Sequence, residues 1–430
     1  MQDGAAGAGA RTVLLYFGGL TLLVALADPL SPLMDFASTF MLKDRLRASA
    51  PDVSMFRLLT AVPTYLAVAF GFARDLWNPL GRRDRGFFLL FAPLTAAAFA
   101  ALAFLPLSYA GLFVGMILVM LSFRFIVAAQ QGLLALIGQE RLMSGRLSAL
   151  LNLVAFVPFV AGSFAGGWAA ERLTPSGVFL LMAGLSAAIF ALGLLRPRAV
   201  FEQAYDRPEA RGSTLVGDIR RLLKHRAIWP PLVIMCMGQF MPGFNTPLQF
   251  YLTNHLHAPD SAYGEFQGVF FAAFIPVFAL YGWLCRRFSL KALLWVGWTI
   301  CIPQMVPLAF IRSASDALML AVPLGAMGGV AVASLGDLTI RSCPPGLQGA
   351  LMMMVLGINV LATRGSDLVG ARIFAADPAH GFLNCVLATV VVYALILPVL
   401  LFIPRELIAT ADGEPSAVVE AERLAEIAAA

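Results

Sequence analysis

The sequence predicts an all-α polytopic membrane protein: twelve transmembrane helices in two pseudo-symmetric six-helix halves. Three observations predict it. First, the chain of 430 residues is 60% hydrophobic and only 13% charged, with a mean hydropathy of +0.82. Soluble domains are roughly a quarter charged, so this apolar surplus exceeds what one soluble core can bury. Second, apolar runs of about 20 residues recur twelve times, the length needed to cross a bilayer as helix. Third, when the N-terminus is set inside, 21 Lys and Arg fall in inner segments and six in outer ones, and Arg124, Arg364 and Arg372 fall within spans. Basic residues favour the cytoplasmic side, so the asymmetry predicts an even number of crossings with both termini cytoplasmic.

The spans are expected at 13–40, 53–72, 87–106, 109–136, 147–170, 177–196, 230–254, 266–285, 291–311, 317–340, 349–374 and 381–403. Ala25-Leu26-Ala27 has the form of a signal-peptidase site, but the apolar run continues past it and the even count of helices needs that segment retained. Residues 1–196 form the first half and 230–403 the second. Residues 197–229, the only long internal polar segment, form a linker on the cytoplasmic side. Ser213 can cap a short helix there, with Leu215, Val216, Ile219, Leu222 and Leu223 on one side and basic residues nearby, which suits the membrane surface as well as it suits a solvated linker. Residues 404–430 form a cytoplasmic tail. The net charge of +5 reports topology rather than a nucleic-acid partner. Five scattered cysteines without CxxC or Cys/His spacing offer neither a disulfide framework nor a metal site.

The halves carry traces of repetition. Ser31-Pro32-Leu33 in span one has a counterpart in Thr246-Pro247-Leu248 of span seven, and Gly71-x-x-x-Asp75 after span two is echoed by Gly282-x-x-x-Arg286 after span eight. Repeated halves commonly hold a site between them at mid-depth.

Intramembrane charge is the strongest functional signal, because an ionised side chain in hydrocarbon costs several kcal/mol unless it faces a bundle interior or a watery cavity. Asp28 and Asp35 lie in the first apolar stretch, seven residues apart, which on one helix is two turns and one face, with Asp35 roughly 10 Å further toward the outside. Arg124 lies at a depth in span four matching Asp28. An Asp28–Arg124 pair would offset two desolvation costs. It reads either as a static ion pair or as a working site, with Arg124 the anion or gate contact and an aspartate the proton site. Arg364 and Asp367, at i, i+3 in span eleven, are expected to form a structural ion pair. Asp337 and Arg341, at i, i+4 near the inner end of span ten, form a gate or a helix-end pair. In span seven, Gln239, Pro242, Thr246, Gln249 and Thr253 share one helical face beside Asn245. That gives an uncharged hydrogen-bonding wall for substrate.

The inner loop after span two reads Gly71-Phe72-Ala73-Arg74-Asp75, then Pro79-Leu80-Gly81-Arg82-Arg83-Asp84-Arg85. Gly71 permits close helix approach, and Asp75 can cap a helix end or pair with the arginines, so Gly71, Asp75, Arg82 and Arg83 are gating candidates. This pattern resembles the major facilitator superfamily, whose loop carries Gly-x-x-x-Asp followed by a Gly-Arg-Arg cluster, here with three more residues between the two parts. The resemblance implies the major facilitator fold and a site formed by spans one, four, seven and ten. A narrower resemblance rests on Phe40-Met41-Leu42-Lys43-Asp44, Ser49-Ala50-Pro51, Pro63 and the loop above. With Cys343-Pro344-Pro345-Gly346-Leu347-Gln348-Gly349-Ala350 and Asn359, it is similar to the folate–biopterin transporter branch. Where that branch shows Pro-Trp-x-x-Lys in span two, this chain has Pro63-Thr64 and Ala67, a departure at the position of a candidate anion-binding lysine.

The expectation is therefore a secondary transporter of a small anionic organic solute working by alternating access, with protons as the candidate coupling ion. It would be a monomer in the bacterial inner membrane, with no cofactor, metal or nucleic-acid partner. Two alternatives stay open: a non-transporting membrane assembly factor on the same fold, and a multidrug efflux carrier. No phosphate loop, Walker lysine or HExxH is present, and the residues are not those of an enzyme.

Overall fold

A computed structural model of the chain describes residues 2–31, 34, 38, 41–47, 55–56, 59–106, 108–172, 174–201, 215–259, 261–377 and 380–414. Among the described residues, ten helices are long and apolar enough to cross a membrane. They coincide with expected spans one, three to six and eight to twelve. Tyr109–Glu140 has 32 residues, and Ser144–Arg172 and Gln348–Ala376 have 29 each, ample for a hydrocarbon core of about 30 Å at 1.5 Å rise per residue.

Spans two and seven fail that count because their helices are broken. Span two contains Val62–Tyr65 and the start of Ala67–Leu76, a helix that continues into the loop after it; the two are separated at Leu66, where the backbone leaves the helical region. Span seven runs as Trp229–Gly238, turns through 239–245, restarts at Thr246–Phe250 and ends in a π-helical turn, Tyr251–His255. Pro63, and Pro242 with Gly243, stand near these breaks. Proline supplies no N–H and crowds the preceding carbonyl, and glycine gains little from helix. Span one also departs from expectation. Its helix, Gln2–Ala27, stops before Asp28-Pro29, and residues 28–31 form a turn in which the Ser31 N–H donates to the Asp28 carbonyl. The residue before proline is pushed out of helical geometry, which accounts for the stop. A π-helical turn, Met41–Arg45, follows, so segments one and seven both contain a π turn.

Several helix starts are legible in local chemistry. The Thr174, Ser289 and Ser313 side chains accept from the N–H groups of Gly177, Ala292 and Asp316, satisfying donors that a helix start leaves free.

The chain divides into two compact units. The first comprises 1–136, 157–220 and 344–357; the second comprises 137–156, 221–343 and 358–430. The helices Ser144–Arg172 and Gln348–Ala376 therefore each contribute to both. In the first unit, Asp84–Phe104 packs along Pro175–Leu194, and Phe99, Met116, Val119, Phe179 and Met182 share a buried cluster. In the second, Ala314–Arg341 is central, contacting Ser261–Ala272, Phe274–Leu284 and Leu290–Cys301. Phe244, Phe266, Phe270, Phe274 and Phe278 fill its largest core. The polar segment before span seven contains the helix Leu215–Lys224, with Leu222 buried and Leu223 exposed. The proposed cap, Ser213, lies outside the described residues.

Candidate functional site

Within the first unit, Arg124 donates from Nη2 to Asp28 Oδ1 at 2.8 Å. The arginine side chain is 2% exposed and the aspartate 29%, so the pair has one deeply buried partner and one reachable face. The broken helix places Asp28 here: freed from helical geometry, its carboxylate also accepts the Leu30 N–H at 2.9 Å. Arg124 retains unused capacity, because its Nε is buried without a hydrogen-bond partner, as is the Ser31 hydroxyl. Deeper along the same helices, Gln130 Nε2 donates to Thr21 Oγ1 at 2.9 Å. The turn at 28–31 interrupts the seven-residue register on which Asp28 and Asp35 were expected to share a face. Asp35 itself lies outside the described residues.

The uncharged wall of span seven is arranged differently from the expected helical stripe, because the helix is broken between Gln239 and Asn245. Gln239 accepts from Thr363 Oγ1 at 3.3 Å. Asn245 Oδ1 accepts from the Tyr263 hydroxyl at 3.3 Å, and that hydroxyl accepts from Gln267 Nε2 at 2.5 Å. Gln249 is exposed. Gln239 and Asn245 thus belong to separate side-chain hydrogen-bonded groups, and Gln249 meets Asn245 through the backbone, its N–H donating to the Asn245 carbonyl at 3.1 Å. Tyr263 and Gln267 escaped the sequence reading. They stand four apart on the helix Ser261–Ala272, one helical face, which is the signal that could have found them.

Arg364 and Asp367 do not form the expected pair. Asp367 instead accepts the Thr246 N–H at Oδ1 and the Thr246 hydroxyl at Oδ2, both at 2.9 Å, while Arg364 is exposed. The restart of span seven leaves an N–H that helix cannot satisfy, and a carboxylate serves it better than a neighbour at i, i+3 would be served. The close approach this needs is supplied at Gly370, where a Cβ would overlap the Pro242 carbonyl.

The gating candidates fall into two groups, one in each unit. In the first, Asp75 is 1% exposed. Its Oδ1 accepts the Gly349 N–H at 3.0 Å and its Oδ2 the Ala350 N–H at 2.7 Å, capping the helix that starts at Gln348. A Cβ on Gly71 would overlap the Gly349 carbonyl, so only glycine admits this approach. Burial pushes the Asp75 carboxyl up to about 6 despite Arg74 and the two N–H groups. Arg82 is exposed and Arg83 half-buried. Two further arginines engage the cluster. Arg74 joins Asp75 at 2.8 Å and Asp84 at 2.6 Å, and Arg85 donates to the Gly193 and Leu194 carbonyls at the end of span six. In the second unit, Arg341 Nε donates to Asp337 Oδ1 at 2.9 Å and to Ser144 Oγ at 3.1 Å, and Nη1 reaches the Leu407 and Thr410 carbonyls. The Tyr281 hydroxyl also reaches Asp337.

Among the described residues, no three His, Cys, Asp or Glu side chains are grouped to hold a metal.

Broken first helices, a paired intramembrane Arg and Asp, and a capped glycine-acid loop occur together in one chain. The family model described as Major Facilitator Superfamily matches residues 13–363. The chain belongs to that superfamily. Its members are carriers rather than enzymes, and the chain is an integral membrane protein that moves a small solute by secondary-active, alternating-access transport. Folate transporter 2 of Plasmodium falciparum (isolate 3D7) is 19% identical over 354 residues, covering 79% of this chain and 76% of that protein. Among solved structures, the fold is similar to the major facilitator transporter FucP in its outward conformation, with TM-score 0.66, 14% identity, and 91% of this chain and 98% of that one covered. The human organic anion transporter MFSD10 is similar at TM-score 0.61, with 16% identity and coverage of 90% and 98%. A bacterial homologue of the iron transporter ferroportin reaches TM-score 0.66 with 16% identity and the same coverage.

Proposed function

We propose that this superfamily member carries a small organic anion, driven by protons, with Arg124 as the anion contact and Asp28 and Asp35 as proton-exchange sites. One observation carries the reading: a guanidinium buried to 2% exposure uses one arm on Asp28 and leaves Nε without a partner. A cation held this deep is costly unless compensated, and a half-exposed carboxylate is partial compensation. An anionic substrate completes it, and protonation of the aspartate would alter how strongly Arg124 is held. Gln239, Asn245 and Gln249, with Tyr263 beside Asn245, supply hydrogen bonds from span seven. The similarity to a protein named as a folate transporter, together with the loop and turn patterns, supports placement near the folate–biopterin branch.

The proposed frame is twelve crossings in two halves, 1–196 and 230–403, joined by 197–229, with both termini cytoplasmic, acting as a monomer in a bacterial inner membrane. The ten long helices among the described residues, with the two broken spans, support a count of twelve. The π turns in segments one and seven support a repeat.

The test is a thermal-shift screen of the purified protein against pterins, folates, sugar-peptides, simple organic acids and lipophilic cations. Stabilisation confined to anions, and lost in Arg124→Gln, supports the reading. Stabilisation by cations alone overturns it.

A further inference from the structure

The loop after span two and the loop after span eight occupy matching places in the two halves of the sequence, but they differ in one respect. Asp75 in the first is an acid that caps the helix starting at Gln348. Four residues after Gly282, the matching place in the second loop holds Arg286, which is exposed. The helix that such an acid would cap starts at Ser144, and a helix start lined with free N–H groups gains from a carboxylate. That carboxylate is present, and it comes from elsewhere in the chain.

Asp412, beyond span twelve, has a side chain with 0% exposure. Its Oδ1 accepts the Gly145 N–H at 2.9 Å, and its Oδ2 accepts from Arg146 Nε at 2.6 Å. The segment carrying it is fixed at several points. The Asp412 N–H donates to the Cys285 carbonyl at 2.8 Å, in the same loop that holds Arg286. The Thr410 and Leu407 carbonyls accept from Arg341 Nη1 at 3.0 and 3.3 Å, while Arg341 Nε reaches Ser144 Oγ. Leu407 and Ile408 are each 4% exposed in the core formed with Leu290, Leu294 and Leu338. Gly413 has φ +98, a left-handed turn that glycine adopts at no steric cost, directly after the aspartate.

We infer that Asp412 supplies from the segment after span twelve the helix-capping carboxylate that the second loop lacks, and that this segment is a latch on the start of the helix Ser144–Arg172. Residues 144–146 belong to the first half of the sequence, whereas Cys285, Arg341 and Asp412 belong to the second. Under the alternating-access reading, on which this inference rests, the Asp412–Arg146 tie forms and breaks once in each cycle. The segment 404–414 then sets the balance between conformations, and any modification or partner that withdraws it shifts that balance.

The test is hydrogen–deuterium exchange of the full chain in lipid nanodiscs, read at the amides of residues 144–150. Asp412→Asn keeps the shape and removes the charge. Exchange there is expected to rise at least threefold, with residues 348–352 unchanged. Arg146→Gln breaks the same pair from the helix side and is read the same way if Asp412→Asn does not fold. Arg286→Gln, the control, leaves exchange at its natural rate. Natural exchange at 144–150 in the folded Asp412 or Arg146 variant overturns the latch. Failure of the chain to carry any solute would instead sink the transport reading, while leaving the exchange result standing.

Discussion

The carboxylate of Asp75 accepts the backbone N–H of Ala350 at 2.7 Å, although 274 residues separate Asp75 from Gly349, its other backbone partner. It therefore stands where the side chain of a local N-cap residue would stand. Charge-assisted hydrogen bonds of this kind contribute about 1.5–3 kcal/mol, more than a neutral cap. Asp75→Ala removes both, and strands Arg74 with Asp84 alone. We expect faster hydrogen exchange at residues 348–352 and a melting temperature lower by several degrees. Exchange there at the natural rate would show that the cap contributes nothing.

The approach that makes this cap possible is steric. A Cβ on Gly71 would overlap the Gly349 carbonyl, whereas nothing lies within 4 Å of one on Gly19. Gly71→Ala is predicted to destabilise by roughly 1–3 kcal/mol, the range for overpacking, and Gly19→Ala to be neutral or slightly stabilising because alanine favours helix. Thermal denaturation of the two variants in one detergent decides between them, and equal melting temperatures would refute the packing.

A pH dependence follows from Asp75. Its carboxyl sits at about 6 in the folded protein against an ordinary 3.8, because burial outweighs Arg74 and the two N–H groups. The folded state thus binds the proton more tightly than the unfolded one. The stabilisation from protonation is complete below about 3.8 and is lost as pH rises through about 6. Asp84, on the other side of Arg74, keeps that guanidinium paired in either state. Relative to Asp75→Asn, the natural chain should gain roughly 1 kcal/mol between pH 7 and pH 5. The difference between their melting temperatures at the two pH values measures it, and a shift of opposite sign would contradict the burial.

Asp367 and Arg364, neighbours on one helix, are predicted to behave unequally. Asp367→Ala leaves the Thr246 N–H and hydroxyl without their acceptor at the restart of span seven. Stranding such groups costs about 1–3 kcal/mol each. Arg364→Ala removes an exposed side chain, for which about 0.5 kcal/mol or less is expected. Similar losses in the two variants would restore the ion pair that their spacing suggests.

Much of the fold was legible because hydropathy and charge asymmetry act over whole segments, so a few misplaced residues do not change them. The ten long helices fall where the apolar runs lie. Spans two and seven were legible as apolar runs but not as broken helices, since hydropathy does not register where backbone N–H groups go. The prolines did signal it, as did Pro29 behind Asp28. The Asp28–Arg124 contact could be read from matching depth alone, because few partners can compensate a charge at that level. Asp367 was misassigned because helix spacing shows which residues can meet on one helix, and its partner lies on another. Asp412 was out of reach for a related reason: nothing local marks an acid in a polar segment as a cap for a helix that starts 268 positions earlier.

The proposal for Arg124 is tested most directly by pH-gradient-driven uptake of a labelled folate and of simple organic acids into proteoliposomes. The natural chain is compared with Arg124→Gln and Arg364→Gln. A buried guanidinium that receives the anion predicts saturable uptake, reduced at least tenfold in Arg124→Gln and retained in Arg364→Gln. Uptake by Arg124→Gln at the natural rate, with the same saturation, would contradict it.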